Sequence, residues 1–574
     1  LSKSHSLFAN VYLELQPIKN LRFRSSFGYR MSASSYRQYT PIYNLSTTTV
    51  NTTDDVNQNQ SLGYSYTLDN TLSYIFDMGE DHGLDALIGQ SAEKWGMGEG
   101  VSGGNSNTLF PGSWDHAWLT NTQGVTAGVT SVSGSPWGEG GLASFFGRLN
   151  YDYKEKYMAT LIVRADGSSN FARGNRWGYF PSASAGWLVS NEDFMEDARD
   201  FVDFFKLRGS WGRNGNASIS PFQYLATVSF DSKNGYYFGD DKANIVTGGY
   251  ADILPNPDVT WETSEQLNIG FDSRFANNRL GFVFDWYIKT TKDWLVVAPI
   301  LASYGTNPPF INGGDIENRG FEIGLDWNDR INDFTYGANF NISRNKNEVI
   351  RIANAEGIIH GEENVLSQGT KEMYRAEVGF PIGYFWGYKT NGVFQNADEV
   401  AAATAKLEGT QPGDLIYVDT NGDGAITDDD KVIIGDPNPD FQANLSLNFG
   451  YKGFDLSFTT VGKFGHQIAK SYRSFADSPL QNYTTDIFER WHGEGTSNRL
   501  PRLTSGSNPN WQNISDIYIE DGDYLKLQNL TIGYDLKHAI KNMPLSQARI
   551  YFSAQNLFTI TKYSGMDPEI GYGF

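Results

Sequence analysis

The residue pattern predicts an all-β chain, a large antiparallel transmembrane β-barrel with long extracellular loops, and three observations carry that prediction. Apolar and polar residues alternate with period two in stretch after stretch, the mark of a sheet with unlike faces. Tight and long connections follow one another in turn, as in barrels with short periplasmic turns and long outer loops. No run approaches the roughly 20 apolar residues a membrane helix needs, so only strands could take this chain across a bilayer.

Each element follows from local pattern. Leu21, Phe23, Phe27 and Tyr29 alternate with Arg22, Arg24, Ser26, Gly28 and Arg30; Phe321, Ile323, Leu325 and Trp327 alternate with Glu322, Gly324 and Asp326. The same holds for Phe441–Phe449 and for Ile550–Ala554. Sixteen strands are predicted, at 8–16, 21–31, 62–76, 84–95, 142–153, 157–166, 179–190, 204–213, 261–275, 279–291, 317–328, 333–346, 440–450, 453–463, 523–535 and 548–558. Tight turns fall at Pro17–Asn20, Lys154–Lys156, Ala276–Asn278 and Tyr451-Lys452. Long connections fall at 32–61, 96–141, 214–260, 292–316, 347–439 and 464–522. A soluble sandwich has no reason to keep that asymmetry. The phase slips between Leu527 and Leu530, which predicts a β-bulge. Trp187, Trp286, Trp294 and Trp327 suit interfacial girdles. Residues 1–574 thus read as one partial barrel, with 347–439 its longest outer loop.

Composition narrows the function. The net charge is −21 and the pI near 4.8, so a phosphate backbone would be repelled and no nucleic-acid partner is expected. Mean hydropathy is −0.44, compatible with a barrel because only alternate strand residues meet lipid. There are no cysteines and seven scattered histidines. With no H-E-x-x-H and no P-loop, the chain reads as no enzyme.

Specific motifs run from about residue 160 to the end. They are Arg164–Phe171 followed by Asn175–Ser182, Asn256-Pro257-Asp258 with Trp261-Glu262, Asn318–Glu322, Pro412-Gly413-Asp414, Asp419–Gly424, Ile434–Phe441 and Gln555–Phe558. Together they resemble the barrel of SusC/RagA-type TonB-dependent transporters. The resemblance implies a barrel of 22 strands in the outer membrane of Bacteroidota, occluded by an N-terminal plug. It also implies a SusD-like surface lipoprotein as lid and a pull on the plug by TonB. The implied cargo is an oligosaccharide, with a peptide as the alternative. The plug, the TonB-contacting segment and the first strands are expected before Leu1, and a final strand after Phe574. A passive porin and a soluble surface glycan-binding β-protein are the other readings.

Two candidate sites stand out. Asp419–Asp430 fits the calcium-loop pattern D-x-[DN]-x-[DN]-G, with Asp419, Asn421 and Asp423 as oxygen ligands, Ala425 through its carbonyl and Asp430 at position 12. A structural Ca²⁺ is the expected cofactor, against an Asp/Asn/Gly-rich turn holding no metal. Substrate contacts are expected at Trp114, Asp115, Trp118 and Trp137, because aromatic faces beside carboxylates suit sugar rings; plain loop packing is the alternative. The same choice applies to Tyr384, Phe385, Trp386 and Tyr388. Asn396–Glu399 reads as a capping box opening a short helix through Ala401–Lys406, and a second short helix is expected over Thr485–Trp491. Arg22, Arg24, Arg148, Asp152, Arg208 and Arg213 would face inward, paired with one another or with the plug.

Overall fold

The computed structural model describes residues 1–47, 49–125, 129–136, 138–236, 246–298, 300, 302–365, 370–470, 484–504, 509–540 and 542–569. The chain divides into two compact units, Leu1–Ala185 with Gly212–Thr263 and Leu295–Asn312, and Gly186–Trp211 with Ser264–Trp294 and Gly313–Phe574.

In the first unit, β1 (Ser2–Ile18), β2 (Leu21–Thr40), β3 (Asp55–Asp77) and β4 (His82–Ser106) pair antiparallel in sequence. The short strand β5 (Ser131–Pro136) lines the end of β4, whose remainder pairs with β6 (Gly140–Tyr153), which pairs with β7 (Tyr157–Ser168). Strands β8 (Trp177–Leu188), β9 (Val202–Asn216) and β10 (Glu262–Phe275) each contribute residues to both units. In the second unit, β11 (Leu280–Lys292), β12 (Gly314–Ile331), β13 (Phe334–Ile352), β14 (Phe441–Tyr451), β15 (Phe454–Phe464), β16 (Tyr524–Asp535) and β17 (Arg549–Thr561) form an unbroken antiparallel succession.

All sixteen predicted stretches are strands. The notable difference is length, since β2, β3 and β4 run on to Thr40, from Asp55 and to Ser106. Those extensions are Ser-, Asn- and Gly-rich, so they show no alternation, yet their backbone groups still pair across the ladder.

Polarity is inverted relative to a soluble sheet. In β7, Tyr157, Leu161 and Val163 are 44%, 54% and 57% exposed, and each alternates with a more covered residue. Such a surface is unfavourable in water and favourable in hydrocarbon. Asn70 and Gln90 share that outward face with Leu68 and Ile88, and the Asn70 amide donates to Gln90 Oε1 at 3.0 Å, so these polar groups satisfy each other. The opposite face carries ion pairs and amide ladders. Asp85 accepts from Asn150 at 2.9 Å and lies 3.5 Å from Arg148. Arg208 bridges Asp285 at 2.5 Å and Asp272 at 3.1 Å, and Arg274 meets Asp326 at 2.6 Å. Arg22 lies 3.6 Å from Glu14, and Arg24 stands over the Tyr12 ring. Of the arginines expected to face inward, Arg22, Arg148 and Arg208 thus pair with carboxylates of the wall, and Arg24 with an aromatic ring.

The tight turns need left-handed backbone. Lys154 and Glu155 both have φ of 54°, and Ala276, Asn277 and Asn278 have φ of 57°, 59° and 61°. Two successive positive values suit the right-handed twist of the flanking strands. The expected bulge is present: Thr459 pairs with Asn529 and Thr460 with Leu527, leaving Gln528 without a partner across the ladder.

At the base of the long loops in the first unit, Phe171, Phe180, Ile219, Val259 and Trp261 form a buried cluster. Asn170 ties it together by donating to the Ala217 and Ile219 carbonyls at 3.0 and 3.2 Å, and Trp261 Nε1 donates to the Arg176 carbonyl at 2.8 Å. The motif residues in this region therefore have packing roles.

Candidate functional site

Within the second unit, the connections after β13 and after β15 fold against each other into a loop body with its own core. Tyr388, Val393, Leu415, Tyr417 and Ile426 make one cluster, and Met373, Phe385, Ile514 and Tyr518 another. Asp414 is the polar joint between the two connections. Its Oδ1 accepts from Arg502 Nε at 2.7 Å and from Asn510 Nδ2 at 2.9 Å, and its Oδ2 accepts from the Gln411 amide at 2.8 Å. Burial raises the pKa of the Tyr384, Tyr388 and Tyr417 hydroxyls, with the neighbouring carboxylates Glu377 and Asp428 adding to the effect at Tyr384 and Tyr388. Tyr384, Phe385 and Tyr388 are buried, and Arg375 covers a face of the Trp386 ring at 4.0 Å. These four aromatics are packing residues.

Helix α1 spans Ala397–Ala402, with Asn396 accepting from the Glu399 amide at 3.0 Å and the Gln395 amide donating back to Glu399. It is shorter than expected because Ala403 turns extended and Lys406 bonds the Ala403 carbonyl. The second expected helix is a 3-10 turn over Thr485–Glu489.

The 419–430 loop is organised by its own carboxylates and amides. Asp419 accepts from the Gly422 and Gly424 amides, Asn421 from the Asp423 amide and Asp423 from the Ala425 amide, at 2.6 to 2.9 Å. Asp430 is fully buried. Its Oδ1 accepts from the Thr420 amide and its Oδ2 from the Thr427 amide, both at 2.8 Å. The Thr427 amide, with those of Thr420 and Asn421, holds its carboxyl below the usual range despite burial. Among the described residues, no three His, Asp or Glu side chains converge in a metal-holding arrangement. Asp430 acts as a cap, so Asp419, Asn421, Asp423 and the Ala425 carbonyl are the groups left to meet a cation.

The tryptophan loop lies in the first unit. Its start is fixed by Asp54, which accepts from the Thr108 amide at 2.9 Å, from the Thr108 hydroxyl, and from Tyr39 at 3.1 Å. Burial opposes the Asp54 charge, and these donors outweigh it, holding its pKa below the ordinary value. The Gly112 amide bonds Tyr39 Oη at 2.7 Å, and the Leu119 amide bonds Gln58 at 2.9 Å. Sequence reasoning missed the central residue, Arg37. Its guanidinium stands 3.8 Å over the Trp118 ring and 4.5 Å over the Trp114 ring. Both indoles stay about two-fifths exposed, and Trp118 Nε1 is fixed to the Asp115 carbonyl at 2.9 Å. Trp114, Asp115 and Trp118 thus lie together on one braced loop, whereas Trp137 falls outside the described residues.

The wall, with its apolar side outward, and its long loops define an outer-membrane β-barrel, and residues 2–557 match the family model for the TonB dependent receptor-like β-barrel. The chain belongs to the TonB-dependent receptor family, in its SusC/RagA group. It is 32% identical to TonB-dependent receptor P3 of Formosa agariphila over 99% of its own length and 55% of that protein. It is 30% identical to TonB-dependent receptor SusC of Bacteroides thetaiotaomicron over 75% of its length and 42% of that protein. The solved RagAB peptide transporter shares the fold with a TM-score of 0.82 at 23% identity, covering 99% of this chain and 60% of that one. The chain spans about half the length of the curated relatives it matches. Membership places it in the outer membrane and removes the soluble reading. Among the described residues no helix is long and apolar enough to cross a membrane.

Proposed function

We propose that the protein takes up an oligosaccharide across the outer membrane by TonB-dependent import, with a SusD-like surface lipoprotein as lid. The observation that carries the glycan reading is the exposed, braced pair Trp114 and Trp118 on a long loop of the barrel. Flat indole faces accept the C–H face of a pyranose, and the exposed Asp115 and His116 offer partners for hydroxyls. Under this reading the barrel wall is a fixed conduit and the loops with the lid capture the cargo. TonB, reaching the protein through its plug, then drives release inward at the expense of the inner-membrane gradient.

The calcium-like loop has a structural part in the same proposal. Asp419, Asn421, Asp423 and the Ala425 carbonyl would hold the ion, a hard cation suited to oxygen donors, and Asp430 would keep the loop in shape.

Deleting the gene tests the reading. Growth on one complex glycan should be lost while growth on its monosaccharide is kept. Loss of growth on peptides instead would transfer the assignment to a peptide cargo, and unchanged growth on every glycan tried would sink the saccharide reading.

A further inference from the structure

The braced tryptophan loop has an electrostatic feature that a neutral sugar platform does not require. Arg37 is only 9% exposed, yet among the described residues no carboxylate pairs with it. Among the described residues its guanidinium makes a hydrogen bond from Nη1 to the Ala117 carbonyl at 3.2 Å, and its buried Nε has no partner. A buried cation without a counter-ion is costly, and two aromatic faces recover only part of that cost. This uncompensated positive charge sits in a protein whose net charge is −21.

We infer that Arg37, Trp114 and Trp118 form a binding site for an anionic pyranose, a sugar ring bearing a carboxylate or a sulfate ester. The inference rests on the glycan-uptake reading and narrows its substrate class. The ring stacks on the open indole surface, and its negative group supplies the charge that Arg37 lacks. A guanidinium against one face of an indole draws electron density toward itself, so the other face disfavours a second cation and tolerates an anion. Asp115 is on the same loop and opposes an anion, but it is exposed and water screens it, whereas the Arg37 charge acts from low dielectric. Asp54, Tyr39 and Gln58 fix the loop in advance, so little ordering entropy is lost on binding.

The test is tryptophan fluorescence quenching and calorimetry on the full-length protein in detergent, with three tetrasaccharides as probes. These are tetragalacturonate, neutral maltotetraose and the cationic glucosamine tetramer. The expected order is tetragalacturonate first, by about tenfold over the cationic tetramer, with the gap narrowing as NaCl is raised. A sulfated galactan tetramer in a fourth arm separates sulfate from carboxylate as the preferred group. Arg37→Met should erase the preference for the acidic probe, and Trp118→Ala should weaken binding of that probe. Trp114→Ala serves as a second ring variant should Arg37→Met fail to fold. Equal or tighter binding of the glucosamine tetramer would overturn the proposal. So would the absence of binding by both acidic probes, or ring variants that bind them as the parent does. A protein that fails here but still supports growth on one glycan loses this site and keeps its assignment as an importer. Failure in the growth test alone removes the saccharide reading on which this site rests.

Discussion

Replacing Asp414 with alanine should loosen the loop body without disturbing the barrel wall. Asp414 is the acceptor for Arg502, Asn510 and the Gln411 amide, and these groups come from the two separate connections. Asn510 is 3% exposed, so its amide has no access to water when the carboxylate is removed. The Arg502 side chain is 27% exposed and can partly rehydrate. Breaking a buried pair costs about 3–5 kcal/mol, and solvent access at Arg502 lowers the expectation to about 2–4 kcal/mol. Asp414→Asn keeps an acceptor for one donor and should cost about 1–2 kcal/mol. Hydrogen exchange read by mass spectrometry on the full-length protein gives the outcome by region. Amides in 384–418 and 484–518 should lose protection by roughly 30- to 1,000-fold in Asp414→Ala, at about tenfold per 1.4 kcal/mol, while β12–β14 stay unchanged. Protection within threefold of the parent over both connections would refute the idea that one carboxylate joins them.

Three further outcomes follow from the same loops. Gly413 has φ of 90° and a Cβ there would lie 2.4 Å from Trp491 Cε3, so Gly413→Ala should destabilise the loop body by about 2–4 kcal/mol, read as the same loss of protection. The Asp430 carboxyl titrates below its unfolded value near ~4, so its stabilisation is complete above that pH and disappears as pH falls through the folded value; pepsin cleavage within 419–430 should therefore rise sharply on acidification below pH ~4, and cleavage that does not change with pH would contradict this. Adding millimolar Ca²⁺ to chelator-treated protein should slow exchange in 419–430, and Asp423→Ala should abolish the effect; no slowing in the parent protein would leave the loop a metal-free turn.

Much of the fold was legible because a barrel wall repeats one simple rule. Side chains alternate, each strand meets its sequence neighbour, and the turns at one end are too short to permit anything else. Gln528 shows how far this extends, since a single phase slip between Leu527 and Leu530 located the bulge. The extensions of β2–β4 were not legible because serine and glycine pair through backbone groups and leave no polarity pattern. Local pattern also exaggerated α1, where an extended Ala403 ends the helix. The four-stranded sheet that joins Ile358–His360, Tyr374–Glu377, Tyr384–Gly387 and Val432–Gly435 is closed by one pairing distant in sequence, Tyr384–Gly387 with Val432–Gly435. At the candidate site the tryptophans were visible as a cluster, and Trp114, Asp115 and Trp118 do share one loop. Arg37 was not visible, because it lies 77 residues or more upstream in a stretch that reads as a long connection without any polarity pattern. The aromatics at 384–388 looked equally suited to ligand stacking, and only their burial in the loop core separates them from Trp114 and Trp118.

Energised uptake of a glycan is the central claim, and accumulation of a labelled oligosaccharide by whole cells tests it most directly. The probe is the glycan on which the deletion strain fails to grow. Cells with the gene should accumulate it, and accumulation should stop both on deletion of the gene and on collapse of the proton gradient with an uncoupler. Accumulation that needs the gene but continues in the presence of uncoupler would contradict the account and make the protein a passive pore.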